Sequence, residues 1–154
     1  MKTLTKKSIF SALVVLFSVF QLTAQAIVIN APEPADNPNL SGSTPWSAIC
    51  AGNGGFNEYY VNISWIGTAN VGNEFILELS DADGSFDNAQ TLKTITDKNT
   101  VNDFDTSFPI PTDTRGQGYK MRVRSTDPVK TGSASSAYNM YYMDVTSNLN
   151  ISEL

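Results

Sequence analysis

The stretch FILELSDADGSF, Phe75 to Phe86, decides the fold class. Phe75, Leu77 and Leu79 alternate with Ile76, Glu78 and Ser80, and the pattern then breaks into Asp81-Ala82-Asp83-Gly84-Ser85. Alternation with period two marks a half-buried strand, because successive side chains of a strand point to opposite faces. Aspartate and serine end such a strand by bonding their own backbone, and glycine does so by tolerating positive φ. A strand running into a turn of this kind predicts an antiparallel, sandwich-like scaffold. Such scaffolds bind and display more often than they catalyse.

The same grammar recurs on both sides of it. Tyr59 to Ile66 places Tyr59, Val61, Ile63 and Trp65 on one face, with Asn62 and Ser64 on the other. Thr91 to Thr96 predicts a weaker strand, and Phe104 to Ile110 one pushed to a sheet edge by Pro109 and Pro111. Gly118 to Ser125 alternates Tyr119, Met121 and Val123 with Lys120, Arg122 and Arg124. Asp127 to Ser136 reads as a loop and Tyr138 to Val145 as the last strand. About seven short strands, roughly 10–15 residues apart and separated by Gly, Asn, Asp and Pro, predict an all-β antiparallel sandwich, immunoglobulin-like or fibronectin type III-like. Tyr119, just inside its strand, stands where immunoglobulin-like domains carry a corner tyrosine.

The first 26 residues read as a secretion signal. Lys2, Lys6 and Lys7 precede an apolar run from Ile9 to Phe20, and Ala24-Gln25-Ala26 supplies a small-x-small cleavage pattern, cut after Ala24 or after Ala26. The run is shorter than the roughly 20 residues of a membrane-spanning helix, so the mature chain is expected to carry no transmembrane segment. Residues 27–48 hold Pro32, Pro34, Pro38 and Pro45 and read as an extended lead-in in which Ile27 to Ile29 adds one short strand. Residues 49–154 are left for the sandwich.

Composition narrows the function classes. Removing residues 1–26 leaves 128 of the 154 residues and takes away three lysines but no acid. Seven Lys/Arg then face fifteen Asp/Glu, a net charge of −8, which repels nucleic acid and anionic membrane surfaces. Histidine is absent, and with it the commonest general base and zinc ligand. The single cysteine, Cys50, cannot form an internal disulfide; it is either a small buried hydrophobe or a thiol open to another chain. A carboxylate-only enzyme would need buried acids, whereas nearly all acids here fall in turns or on outward strand faces, so no enzyme is expected.

FILELSDADGSF, PTDTRGQGY at 111–119, MRVRSTDP at 121–128 and TGS at 131–133 occur in an order that resembles a domain repeated in secreted surface proteins of Bacteroidota, associated with gliding motility or type IX secretion. Cys50-Ala51-Gly52 ahead of the first strong strand fits the same pattern. The resemblance covers roughly residues 47–146 and implies an immunoglobulin- or fibronectin-like sandwich, export to the envelope or surface, and no enzymatic activity. Proteins of that kind continue into further domains and a sorting domain. This chain is therefore expected to be part of a longer product, to stay periplasmic, or to leave by another route.

Three groups of residues are candidates for binding. Asp81, Asp83 and Asp87 around Gly84 partly echo a calcium loop, although the full pattern with a distal glutamate is missing and an ordinary hairpin-type turn is the preferred reading. Lys120, Arg122 and Arg124 form a basic stripe that can meet Glu74 and Glu78 as cross-strand ion pairs if the two strands are neighbours. Tyr141 and Tyr142, in a last strand apolar on both faces, join Trp46 and Tyr60 as a candidate aromatic patch for a glycan or protein. The expected function is a non-enzymatic envelope or surface module for adhesion, display or assembly, alone or as the N-terminal part of a larger gliding-motility protein. The alternatives are a carbohydrate-binding module and an accessory subunit of an outer-membrane secretion or motility complex.

Overall fold

The computed structural model describes residues 26–144, which form eleven β-strands and no helix. Residues 1–25 of the expected leader and the end of the last expected strand at Val145 lie outside the described residues. Among the described residues, no helix is long and apolar enough to cross a membrane.

The strongest alternating segments become the centres of two sheets. In the first, β4 (Tyr59–Ile66) is flanked on one side by β7 (Asp103–Phe108) and on the other by β1 (Val28–Ile29) and β2 (Glu33–Ala35), all antiparallel. In the second, β5 (Phe75–Leu79) lies between β6 (Gln90–Ile95) and β9 (Met121–Thr126), and β10 (Val129–Thr131) folds back on β9. β8 (Arg115–Tyr119) runs into β9 and pairs with β11 (Tyr138–Met143), which takes β3 (Ala48–Gly52) alongside it in parallel. Inward faces of both sheets meet in one core. Phe75 stands at its centre, 5.3 Å from the Trp65 ring and 6.5 Å from the Phe104 ring across the sandwich.

The all-β sandwich is as predicted, with four local differences. The strand expected over 118–125 is two strands broken at Lys120, because the Lys120 backbone bonds to Ser80: its N–H donates to Ser80 Oγ and its carbonyl accepts from Ser80 N–H. At that residue the strand changes partner from β11 to β5. The loop expected over 127–136 contains β10. The pairing is not wholly antiparallel, since β3 joins β11 in parallel after the chain crosses from one sheet to the other. The lead-in is not a separate segment. It supplies β1 and β2, and Ile27, Ile29 and Ala35 are buried in the core.

Prolines obscured that last feature, and the register shows why they are tolerated. Glu33 pairs with Asn62, Pro34 with Val61 and Ala35 with Tyr60. Pro34 has no N–H to give, so the ladder bonds to β4 are made by Glu33 and Ala35, and Pro34 turns its carbonyl to the free edge.

The turn after β5 packs on β8. A Cβ at Gly118 would run into the Ala82 carbonyl, and one at Gly116 would lie 2.6 Å from the Ala82 methyl. The two glycines of RGQGY therefore let backbone approach backbone. Tyr119 holds the corner expected of it, its hydroxyl accepting the Arg115 N–H at 3.1 Å.

β5 and β9 are neighbours, and the expected ion pairs centre on Glu78 alone. Its carboxylate accepts from Arg122 Nε at 2.7 Å and Arg124 Nε at 2.6 Å, and Arg122 also lies over the Phe86 ring. Glu78 is only 6% exposed although it sits on the outward face, because the two guanidinium groups cover it. Burial by itself would raise its carboxyl, but the hydrogen bonds and charges of Arg124 and Arg122 outweigh burial and hold it below the usual value. A depressed carboxylate adds stability above the unfolded-state value and loses it as pH falls through the folded-state value. Glu78→Gln is expected to cost about 2 kcal/mol at neutral pH. The gap between the urea midpoints of the two proteins should start to narrow below about pH 4.3, the unfolded-state value, and close only as pH falls through the lower folded-state value; a gap that stays unchanged down to acid pH would show that the charge is not the cause.

Candidate binding surface

Between β2 and β3 the chain leaves one sheet for the other, and a short turn shapes the crossing. Asn37 N–H donates to Ser43 Oγ, which donates back to the Asn37 carbonyl, and Asn37 Oδ1 accepts from Asn39 N–H. Trp46 follows. Its Nε1 donates to the Tyr60 carbonyl at 2.6 Å, and its ring meets Tyr138 edge-on at 4.9 Å. Phe108 and Tyr59, on the first sheet, lie 6.2 and 6.4 Å from it. One indole thus bridges the first sheet and the separate β3-β11-β8 sheet.

Outside it lies a groove of about 530 Å³, whose lining includes Pro32, Glu33 and Pro34 from the β2 edge, Trp46 from the crossing, and Ser136 and Tyr138 from the start of β11. That volume falls within the range of small-ligand sites. The walls are chemically uneven. Pro32 and Pro34 bring carbonyl acceptors without N–H donors, Glu33 brings an exposed carboxylate, and Trp46 and Tyr138 bring π-systems. Burial, and then the negative charge of Glu33, raise the Tyr138 phenol above its usual value. Among the described residues, the Tyr138 hydroxyl has no hydrogen-bond partner.

The four residues expected to form one aromatic patch do not lie together. Trp46 lines the groove. Tyr60 stands on the outward face of β4, its hydroxyl accepting from Asn39 Nδ2 at 3.0 Å and donating to Glu58 Oε1 at 3.3 Å. Tyr141 and Tyr142 are consecutive in a strand and so face opposite ways. Tyr141 points outward, 37% exposed, beside Met143 at 51%. Tyr142 points inward and lines a smaller polar cleft of about 310 Å³ with Asn53, Thr112, Arg115 and Asp144.

Asp81 is occupied within its own turn. Its Oδ1 accepts the N–H groups of Asp83 and Ser85, and Gly84 takes φ 83°. Asp83 and Asp87 are exposed, and among the described residues no three His, Cys, Asp or Glu side chains converge as metal ligands. Cys50 is exposed, which corrects its reading as a buried hydrophobe. In β3 the inward positions belong to Ile49 and Ala51, so alternation turns Cys50 outward beside Tyr141.

Glu33, Pro34 and Tyr138 belong to the groove and were not singled out by sequence. Tyr138 was visible as part of an aromatic strand. Nothing local marks Glu33, which reaches the groove only because β2 lies on the edge of β4.

Trp46→Phe removes the bond to the Tyr60 carbonyl and leaves part of the indole volume empty, so it should lower folding stability by about 1–2 kcal/mol. Urea unfolding followed by circular dichroism reads this, and an unchanged midpoint would mean that the crossing does not depend on the indole. Cys50 is expected to be alkylated by a maleimide in the native protein as fast as in urea, read by mass spectrometry. Protection of the native thiol would contradict its outward placement. No family model matches this sequence, and no curated protein matches it either.

Proposed function

We propose that this chain is a non-enzymatic β-sandwich module of the cell envelope or cell surface, exported by the general secretory route and acting in adhesion, display or assembly by holding a partner. The groove beside Trp46 carries this reading. It is open, it lies between β-strands of different sheets, and its aromatic walls are already set by the Tyr60 hydrogen bond and the edge-on contact with Tyr138. Preformed aromatic surface favours binding because little conformational freedom is lost when a partner arrives. The leader pattern and the resemblance to repeated domains of Bacteroidota surface proteins support the location. A partner protein and an envelope glycan are both consistent with aromatic walls.

Carbohydrate binding is a second reading, favoured by Trp46 and Tyr138 in one groove and by exposed Tyr141 on the opposite face of β11. Fractionation of a Bacteroidota host expressing the tagged full chain should place it in the envelope or medium. Isolated envelopes should bind the purified domain saturably, and Tyr138→Ala should weaken that binding about tenfold, the size of an aromatic anchor. Retention in the cytoplasm, or envelope binding that never saturates, would refute the proposal. A glycan array separates the two readings.

A further inference from the structure

The groove's chemistry is lopsided, and the imbalance identifies what it would hold. On the β2 edge Pro34 has no N–H, and the β2–β4 register turns its carbonyl away from β4, so this position offers an acceptor and no donor. Glu33 adds a full negative charge, close enough to act on the Tyr138 phenol. Trp46 and Tyr138 meet at 65° and 4.9 Å, giving an aromatic corner beside these acceptors. Among the groove's lining residues Glu33 carries the only charge, and the chain as a whole beyond residue 26 is acidic, with a net charge of −8. A neutral sugar would find stacking surface, with the Ser136 and Tyr138 hydroxyls as donors, but would leave the Glu33 charge unpaired. An anion would meet Glu33. A planar cation with several N–H donors uses both the aromatic and the β2 walls: its face packs on an aromatic ring while its edges donate to the Glu33 carboxylate and the Pro34 carbonyl.

We propose that this groove takes the arginine side chain of a partner polypeptide, the guanidinium lying against Trp46 or Tyr138 and donating to Glu33 and the free edge of β2. The inference rests on the binding-module reading and names the partner chemistry for the same groove. Lysine would bind more weakly, because a compact ammonium lacks the flat face and the fork of donors.

The test titrates the mature protein, labelled with nitrogen-15, with a blocked glycyl-arginyl-glycine peptide. The Trp46 indole resonance reports on the groove, and Trp65, which is 2% exposed, is the internal control. We expect a saturable shift of Trp46 alone, with a dissociation constant on the order of 1 mM for so small a probe. The same peptide with citrulline, which is isosteric and uncharged, should bind at least about tenfold more weakly, as should the arginine peptide to Glu33→Gln. Glu33 is exposed, so that variant should keep the wild-type urea midpoint. Added salt should weaken binding. No shift of Trp46 up to about 20 mM, equal binding of citrulline, or an unaffected Glu33→Gln variant would each overturn the inference. A shift with chitotriose and none with the arginine peptide would overturn it too, while leaving the binding-module reading in place. Failure of the intact domain to bind envelopes would instead remove that underlying reading.

Discussion

The Trp46 indole is the contact on which the binding surface depends. A β-sandwich leaves gaps between its sheets at the two long sides, and each gap exposes core unless something spans it. On one side Lys93 of β6 reaches across to the Ser107 carbonyl of β7 at 2.8 Å. On the other the chain itself crosses, and Trp46 fills the space between Tyr59 and Phe108 of the first sheet and Tyr138 of the β3-β11-β8 sheet. The indole nitrogen, bonded to the Tyr60 carbonyl, fixes the depth at which the ring sits. The groove is what remains outside that plug, so its shape follows from a packing requirement of the core.

Polar groups set the register elsewhere. Glu78 between Arg122 and Arg124 ties β5 to β9 on the outward face. Asn73, fully buried, accepts the N–H groups of Thr126 and Asp127 and donates to Asn99, binding three loops at one end. Both arrangements are costly to disrupt because the side chains concerned are buried and their partners come from distant segments.

Strands with a clean period of two were legible in the sequence. Tyr59 to Ile66 has the expected bounds, and Phe75, Leu77 and Leu79 face the core as alternation requires. Short strands were not. β1, β2 and β10 span two or three residues each, too few for a period to show, and they exist because a neighbouring strand offers an edge. The parallel pairing of β3 with β11 was hidden for a related reason: it depends on where the chain crosses, and no local pattern encodes that. The expected aromatic patch does not form: Tyr60 lies on the outward face of β4, Trp46 lines the groove, and Tyr141 and Tyr142, adjacent in a strand, face opposite ways.

What the sequence by itself determined is the class of fold, the identity of the two central strands, the corner position of Tyr119 and the opposite charge of the outward faces of β5 and β9. These follow from side-chain periodicity and from charge, both local properties. The tertiary structure alone decided which aromatics share a surface. Trp46 and Tyr138 are 92 residues apart and come from segments with different local character. They meet because burying the apolar faces of two sheets forces the crossing chain and the last strand against each other, and only that closure brings Glu33 and the proline edge beside them.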